Sequence, residues 1–146
     1  MTSMSREELL IAVHEGDIVF YDKEFSGQVL HGINTSRLVF KQCLFDNTSF
    51  SGNSLFGSVF DECTIRDCKM DSVNFEASRF TNCAIKNSTW EYADIRRAVF
   101  KNCVFNTVNM DDMYVGFASM YDCVLTNVST VGTEVSYIDT LRTTWS

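Results

Sequence analysis

Six cysteines, two histidines and a loose group of carboxylates are the residues of this 146-residue chain whose types could do chemistry. Cys43, Cys63, Cys83, Cys103 and Cys123 stand twenty residues apart, each inside a similar hexamer: FKQCLF, FDECTI, FTNCAI, FKNCVF and MYDCVL. Such a series could be a metal site, a disulfide framework or packing material. Structural zinc needs thiolates or imidazoles in close-spaced pairs, and Cys63 and Cys68, four residues apart in between, have no third ligand in spacing. The histidines, His14 and His31, form no H-x-x-x-H pair, and neither a G-x-S-x-G nor a phosphate-binding loop occurs. Asp71, Glu91 and Asp111 recur at twenty-residue spacing with Asp94 and Asp112 beside them. Paired carboxylates can act as acid and base, but no lid loop or pocket wall accompanies these, so no catalytic residue is expected.

The spacing of twenty is four times a shorter period. From Phe40 every fifth residue to Leu125 is large and apolar, through Phe45, Phe50, Leu55 and Phe60 and onward. This is neither the 3.6 of a helix nor the 2 of a simple strand. Two residues before each stands a second column, mostly small, to which all six cysteines belong. Residues two apart share one side of an extended backbone, so each group of five offers one large and one small side chain to an interior and turns a corner with the rest. Four sides close a square of twenty residues. Residues twenty apart then stack at roughly strand spacing, about 4.8 Å. Stacked cysteines point the same way, which disfavours bridging. They read as buried, reduced filler, with no cofactor and no metal.

These columns resemble the pentapeptide-repeat family, whose repeat is commonly written A(D/N)Lxx. The resemblance covers about residues 38–130 and implies an all-β repeat solenoid: a right-handed, four-sided parallel β-helix, here of about five and a half coils. Phe20, Phe25 and Leu30 extend the phase upstream, while Lys23 and Gln28 occupy small-residue places and Thr35 a large-residue place. The β-helix is therefore expected over 18–130, with an irregular first coil at 18–37.

Open solenoid ends need caps. Ser5 with Glu8 forms a capping-box pattern, Leu9, Leu10 and Val13 an apolar face and Gly16 a stop, predicting a helical cap within 1–17. Residues 131–146, with Val135, Ile138, Leu141 and Trp145 at spacings of three and four, form a short helix, a β-like cap or a dimerisation segment. In relatives of the antibiotic-resistance type a C-terminal segment makes the dimer, which leaves a homodimer open.

A net charge of −7 argues against binding a phosphate backbone. The chain has no apolar run long enough to cross a bilayer and an N-terminus too acidic for a signal peptide, and six free thiols suit a reducing compartment. No membrane association and a cytoplasmic address are expected. Sorting outward residues by side, Val39, Val59 and Val99 face out from one side and Leu44, Val104 and Val124 from the next. Contiguous apolar surface marks contact sites, although β-branched residues also suit strands in their own right. The expected function is a non-catalytic scaffold that presents flat faces to a protein partner. The resemblance implies an alternative, because its best-known members mimic DNA and bind type II topoisomerases such as gyrase, protecting them from quinolones. The corner of Asp71, Glu91, Asp94, Asp111 and Asp112 would serve there, although residues 38–129 hold eleven acids against eight bases. A secreted bacterial effector is the third reading, since some host-injected proteins carry these repeats.

Overall fold

The computed structural model describes all residues, Met1–Ser146. Strands β2 (Val19–Tyr21), β4 (Val39–Lys41), β6 (Val59–Asp61), β8 (Arg79–Thr81), β10 (Val99–Lys101), β12 (Ser119–Tyr121) and β14 (Asp139–Leu141) stack in chain order as one parallel sheet. Strands β1 (Thr2–Ser3), β3 (Lys23–Ser26), β5 (Leu44–Asp46), β7 (Thr64–Arg66), β9 (Ala84–Thr89), β11 (Val104–Asn109), β13 (Val124–Ser129) and β15 (Thr144–Trp145) form the other. Register advances by twenty residues per rung, pairing Phe40 with Phe60, Phe60 with Phe80 and Phe80 with Phe100. These sheets are sides one and two of a square tube. Side four is joined by single bridges, Ser54 to Asn74 to Asp94 to Tyr114, as is side three in its lower coils, Ser49 to Lys69 to Thr89, whereas higher up β9, β11 and β13 run on round the corner and ladder side three as well.

The corners explain the difference between the sides. On sides three and four the carbonyl of the large residue turns to the N–H three residues on, as in Asn53 N–H to Phe50 O at 2.9 Å and Ser78 N–H to Phe75 O at 3.0 Å. That closes a tight turn and removes the carbonyl from the ladder. Every corner from Asp22 to Asn127 passes through a residue of positive φ, two after the large one, with Gly, Asn and Asp filling more than half of these places. Those residue types tolerate the left-handed region best.

All eighteen large residues from Phe40 to Leu125 are buried. Phe40, Phe60, Phe80 and Phe100 lie ring over ring at 5.2, 4.6 and 4.7 Å, with Phe75 flat on Trp90 at 4.5 Å. Such pairs add about 0.5–1.5 kcal/mol beyond the area they bury. The interior is filled.

The structure has about seven turns rather than five and a half. The extra length lies at both ends. The coil over 18–37 keeps its register, with Phe20 paired to Phe40 and Phe25 to Phe45. Its irregularity is a local swap: Ile33, large, sits buried in the small column while Thr35, small, sits buried in the large one. Thr35 Oγ1 donates to Ser54 O at 2.6 Å and accepts from Asn53 Nδ2 at 3.2 Å, which satisfies the misplaced hydroxyl.

Helix α1 (Arg6–His14) closes the first coil. Ser5 Oγ accepts from Glu8 N–H at 3.1 Å and Glu8 Oε1 from Ser5 N–H at 3.2 Å, the reciprocal box legible in the sequence. Leu9 plugs the tube, whereas Leu10, expected on the same apolar face, is exposed. Gln28 reaches under the helix and accepts Arg6 N–H at 3.2 Å, so the long side chain at a small-residue place serves the cap. Strand β1 adds a rung below β3. Residues 131–146 run on as coil: a 3₁₀ turn (Val135–Tyr137) leads into β14 and β15, which extend both sheets.

Replacing Phe80 by Ala should cost about 3–5 kcal/mol, read from urea unfolding monitored by far-ultraviolet circular dichroism. A loss below 1 kcal/mol would contradict a filled, rigid column.

Candidate interaction surface

Cys43, Cys63, Cys83, Cys103 and Cys123 form one interior column, and all six thiols are free and buried. They do more than fill space. Each sulfur of the column donates to the carbonyl of the large residue of the coil before, Cys63 to Phe40 at 3.3 Å, Cys83 to Phe60 at 3.3 Å and Cys103 to Phe80 at 3.4 Å. Each also reaches the carbonyl two residues back, at 3.4 to 3.5 Å. Thr48, Ser78, Thr133 and Thr143 occupy the small column elsewhere and make the first of these bonds through hydroxyls, at 2.6 to 3.0 Å. Cys, Ser and Thr thus serve alike where the column carries a donor, while Val73, Ala93, Ala98 and Ala118 fill the same column without one. Thr143 continues the cysteine column itself, twenty after Cys123.

Burial pushes the Cys68 thiol up to about 11. The neighbouring thiols of the column, then burial, likewise hold Cys43, Cys83 and Cys123 above the ordinary thiol range. The same neighbours on their own would favour thiolates at Cys63 and Cys103. Yet each of these two sulfurs faces two carbonyl oxygens, which attract an S–H and repel an anion, so all five remain thiols. No cluster of His, Cys, Asp and Glu in the molecule could hold a metal ion.

The acidic corner has structural work. Asp94 is chelated by Arg96, with contacts of 2.6 to 3.1 Å. Asp71 accepts Glu91 N–H at 3.1 Å, and Asp111 accepts Val131 N–H at 2.8 Å and the Ser129 hydroxyl at 2.5 Å. The Asp112 carboxylate lies 2.1 Å from where a Cβ at residue 132 would stand, so any larger residue than Gly132 would have to turn that carboxylate aside. The stacking of Asp71, Glu91 and Asp111 is real, but two of the three are engaged in holding corners.

The apolar columns are where the sequence puts them. Val39 and Val59 are rung neighbours, as are Val104 and Val124, and Leu44 lies lower on the same side as the latter pair. Val104 and Val124 are 44% and 43% exposed, the others half-buried. Arg79 separates Val59 from Val99, and Thr64 and Ala84 separate Leu44 from Val104, which breaks each stripe once. The largest surface depression, about 760 Å³ at the corner between sides two and three, is lined by Asn87, Thr89, Thr107, Asn109, Asn127 and Ser129 among others, with no acid, base or thiol.

Sides three and four carry a signal that periodicity in hydrophobicity does not reveal. Their outward residues Asn34, Ser49, Ser54, Asn74, Asp94 and Asn109 each accept the N–H two residues on, at 2.9 to 3.3 Å. They are short and polar because they brace the corner that follows. Val29, Lys69, Thr89 and Glu134 take such places without making the bond, and so does Tyr114, with Phe117 at the corner beyond it.

This architecture defines the class: the chain has the four-sided β-helix fold of pentapeptide-repeat proteins. It is similar to trypsin-treated QnrB1 (R167E), a plasmid-mediated fluoroquinolone resistance protein, at 14% identity and a TM-score of 0.56 over 88% of this chain and 82% of that one. Weaker overlap is found with Rfr23, a pentapeptide repeat protein from the cyanobacterium Cyanothece 51142 (12% identity, TM-score 0.43, 94% and 97% covered). A pentapeptide repeat protein from the Arabidopsis thaliana thylakoid lumen overlaps at 19% identity and a TM-score of 0.41, with 70% and 65% covered. No protein-family model matches the sequence, and no curated protein sequence does.

The thiols set a pH dependence. A folded-state pKa raised from 9.0 to about 11 at Cys68 means that the unfolded chain releases its proton first as pH rises. Stability should therefore be level from pH 7 to 8.5 and fall between about 9 and 11, because the native state holds more protons there. Thermal melts across that range check it, and Cys68→Ala should shallow the fall. Stability that rises with pH above 9 would contradict buried thiols.

Proposed function

We propose that the protein acts without catalysis, by presenting the flat sides of its β-helix to a protein partner. One observation carries this reading: Val104 and Val124 stay exposed on adjoining rungs of an in-register sheet, beside the side that carries Val39, Val59 and Val99. Continuous ladders keep sides one and two flat, and a flat apolar surface suits a protein rather than a small molecule, which needs a concavity. The filled interior supports the same reading. A second copy of the chain is one partner such sides would accept.

A second reading is favoured by the overlap with QnrB1, a resistance protein of the same fold. It has the acidic corner dock on a type II topoisomerase in place of DNA. Asp94 is already neutralised by Arg96 and Asp71 and Asp111 are partly spent on backbone groups, which leaves Glu91 and Asp112 to carry most of the mimicry.

Val59→Lys with Val104→Lys, at a half-buried and an exposed outward place, should keep stability within about 1 kcal/mol, while abolishing capture of the partner from a lysate of the native host, quantified by mass spectrometry. Unchanged capture would dismiss sides one and two as the interface. For the second reading, inhibition of gyrase supercoiling by the purified protein is expected, lost on Glu91→Gln with Asp112→Asn; no inhibition and no protection from quinolone dismisses it.

A further inference from the structure

The outward column of side four begins Asn34, Ser54, Asn74, Asp94, each bracing the N–H two residues on. Tyr114 takes that place in the next coil. It makes no such bond and stands 58% exposed. Three residues later Phe117 turns the corner at φ +61 with 83% of its surface in water. The left-handed region disfavours a bulky side chain, and exposure gives the ring nothing in return. Tyr137 lies one rung above Phe117 at 67% exposure, and Tyr92 occupies the opposite corner at φ +62, 52% exposed. Four aromatic residues therefore occupy the C-terminal half of side four, each more than half exposed. Strain retained where the fold gains nothing marks a functional surface.

The charges around these rings indicate what would cover them. Glu91 and Asp112 at one corner and Glu134 above Tyr114 belong to no ion pair. The bases of this side are occupied: Arg96 holds Asp94, and Arg97 holds Glu76 at 2.5 Å. Lower on the corner that carries Phe117, the chain supplies its own cation, since Arg37 lies 5.6 Å from the centroid of Phe56. No cation sits over any of the four upper rings. Guanidinium groups stack on aromatic faces and pair with carboxylates at once, which ammonium groups do less well.

We propose that the C-terminal half of side four, built from Tyr92, Tyr114, Phe117 and Tyr137 and rimmed by Glu91, Asp112 and Glu134, docks an arginine-rich segment of a partner protein. This rests on the reading of the molecule as a binding scaffold but uses a different side. Nucleic acid and anionic lipid are repelled by the rim.

The test is fluorescence anisotropy of the full-length protein with labelled peptides of alternating Gly and Arg, Gly and Lys, or Gly and Glu, with a single-stranded oligonucleotide alongside. Saturable binding of the Arg peptide is expected, several-fold weaker for Lys, none for Glu or the oligonucleotide. Tyr114→Ala with Phe117→Ala should weaken the Arg peptide at least tenfold, and Asp112→Asn with Glu134→Gln several-fold. Phe117→Gly alone should weaken binding while leaving Tm unchanged or raised, which separates a docking role from a folding one. Val59→Lys with Val104→Lys should leave peptide affinity unaltered. No saturable binding, equal binding of the oligonucleotide, or affinity indifferent to loss of the rings would overturn the proposal, the last by reducing it to long-range attraction to an acidic chain. If the peptide fails while Val59→Lys with Val104→Lys still abolishes partner capture, the scaffold reading stands and only the patch falls.

Discussion

The molecule depends on one constraint: each residue must lie over the residue twenty before it. Ladder hydrogen bonds on sides one and two enforce the constraint from outside, and stacked rings enforce it from within. Neither would suffice alone. A coil of twenty residues has almost no interior of its own, so its large side chains find a dry environment only between those of the coils above and below. Shifting one coil by a single residue would move every ring out of its column, turn outward residues inward and break the corner bonds together.

The corners carry the second part of the design. A right-angle bend every five residues needs one residue in the left-handed region and leaves backbone groups to be satisfied. The small column provides donors to those carbonyls, through Cys all along one side and through Ser, Thr or Asn in some coils of the others. The short polar residues facing out of sides three and four provide acceptors. The sulfurs are therefore neither reactive centres nor passive filler. They are weak donors of suitable size, used where a hydroxyl serves equally well.

Much of this was legible in the sequence because repetition multiplies a weak signal: Phe40 alone says little, whereas a large residue at every fifth place to Leu125 specifies a coil. The capping box at Ser5 and Glu8 was legible for a different reason, being a local pattern with a local mechanism. What escaped notice depends on non-repeating compensation. Thr35 looks like a defect until Ile33 is seen to exchange places with it, and Gln28 until α1 is seen above it. The tail over 131–146 reads ambiguously because its large-residue places hold Val135, Thr140 and Trp145, so the period fades although the coil continues. The surface was harder still. Hydrophobicity alone pointed to the valines of sides one and two, while Tyr114 and Phe117 become conspicuous only once the corner rules they violate are known.

If in-register stacking is the governing constraint, whole coils are removable units and fractions of a coil are not. Deleting residues 78–97, one coil of twenty, joins Ala77 to Ala98 and returns every remaining column to its phase. The shortened chain should keep its β spectrum and a cooperative melt, at lower Tm, whereas deleting residues 78–95 should abolish cooperative folding. Equal behaviour of the two deletions in a thermal melt would contradict the account.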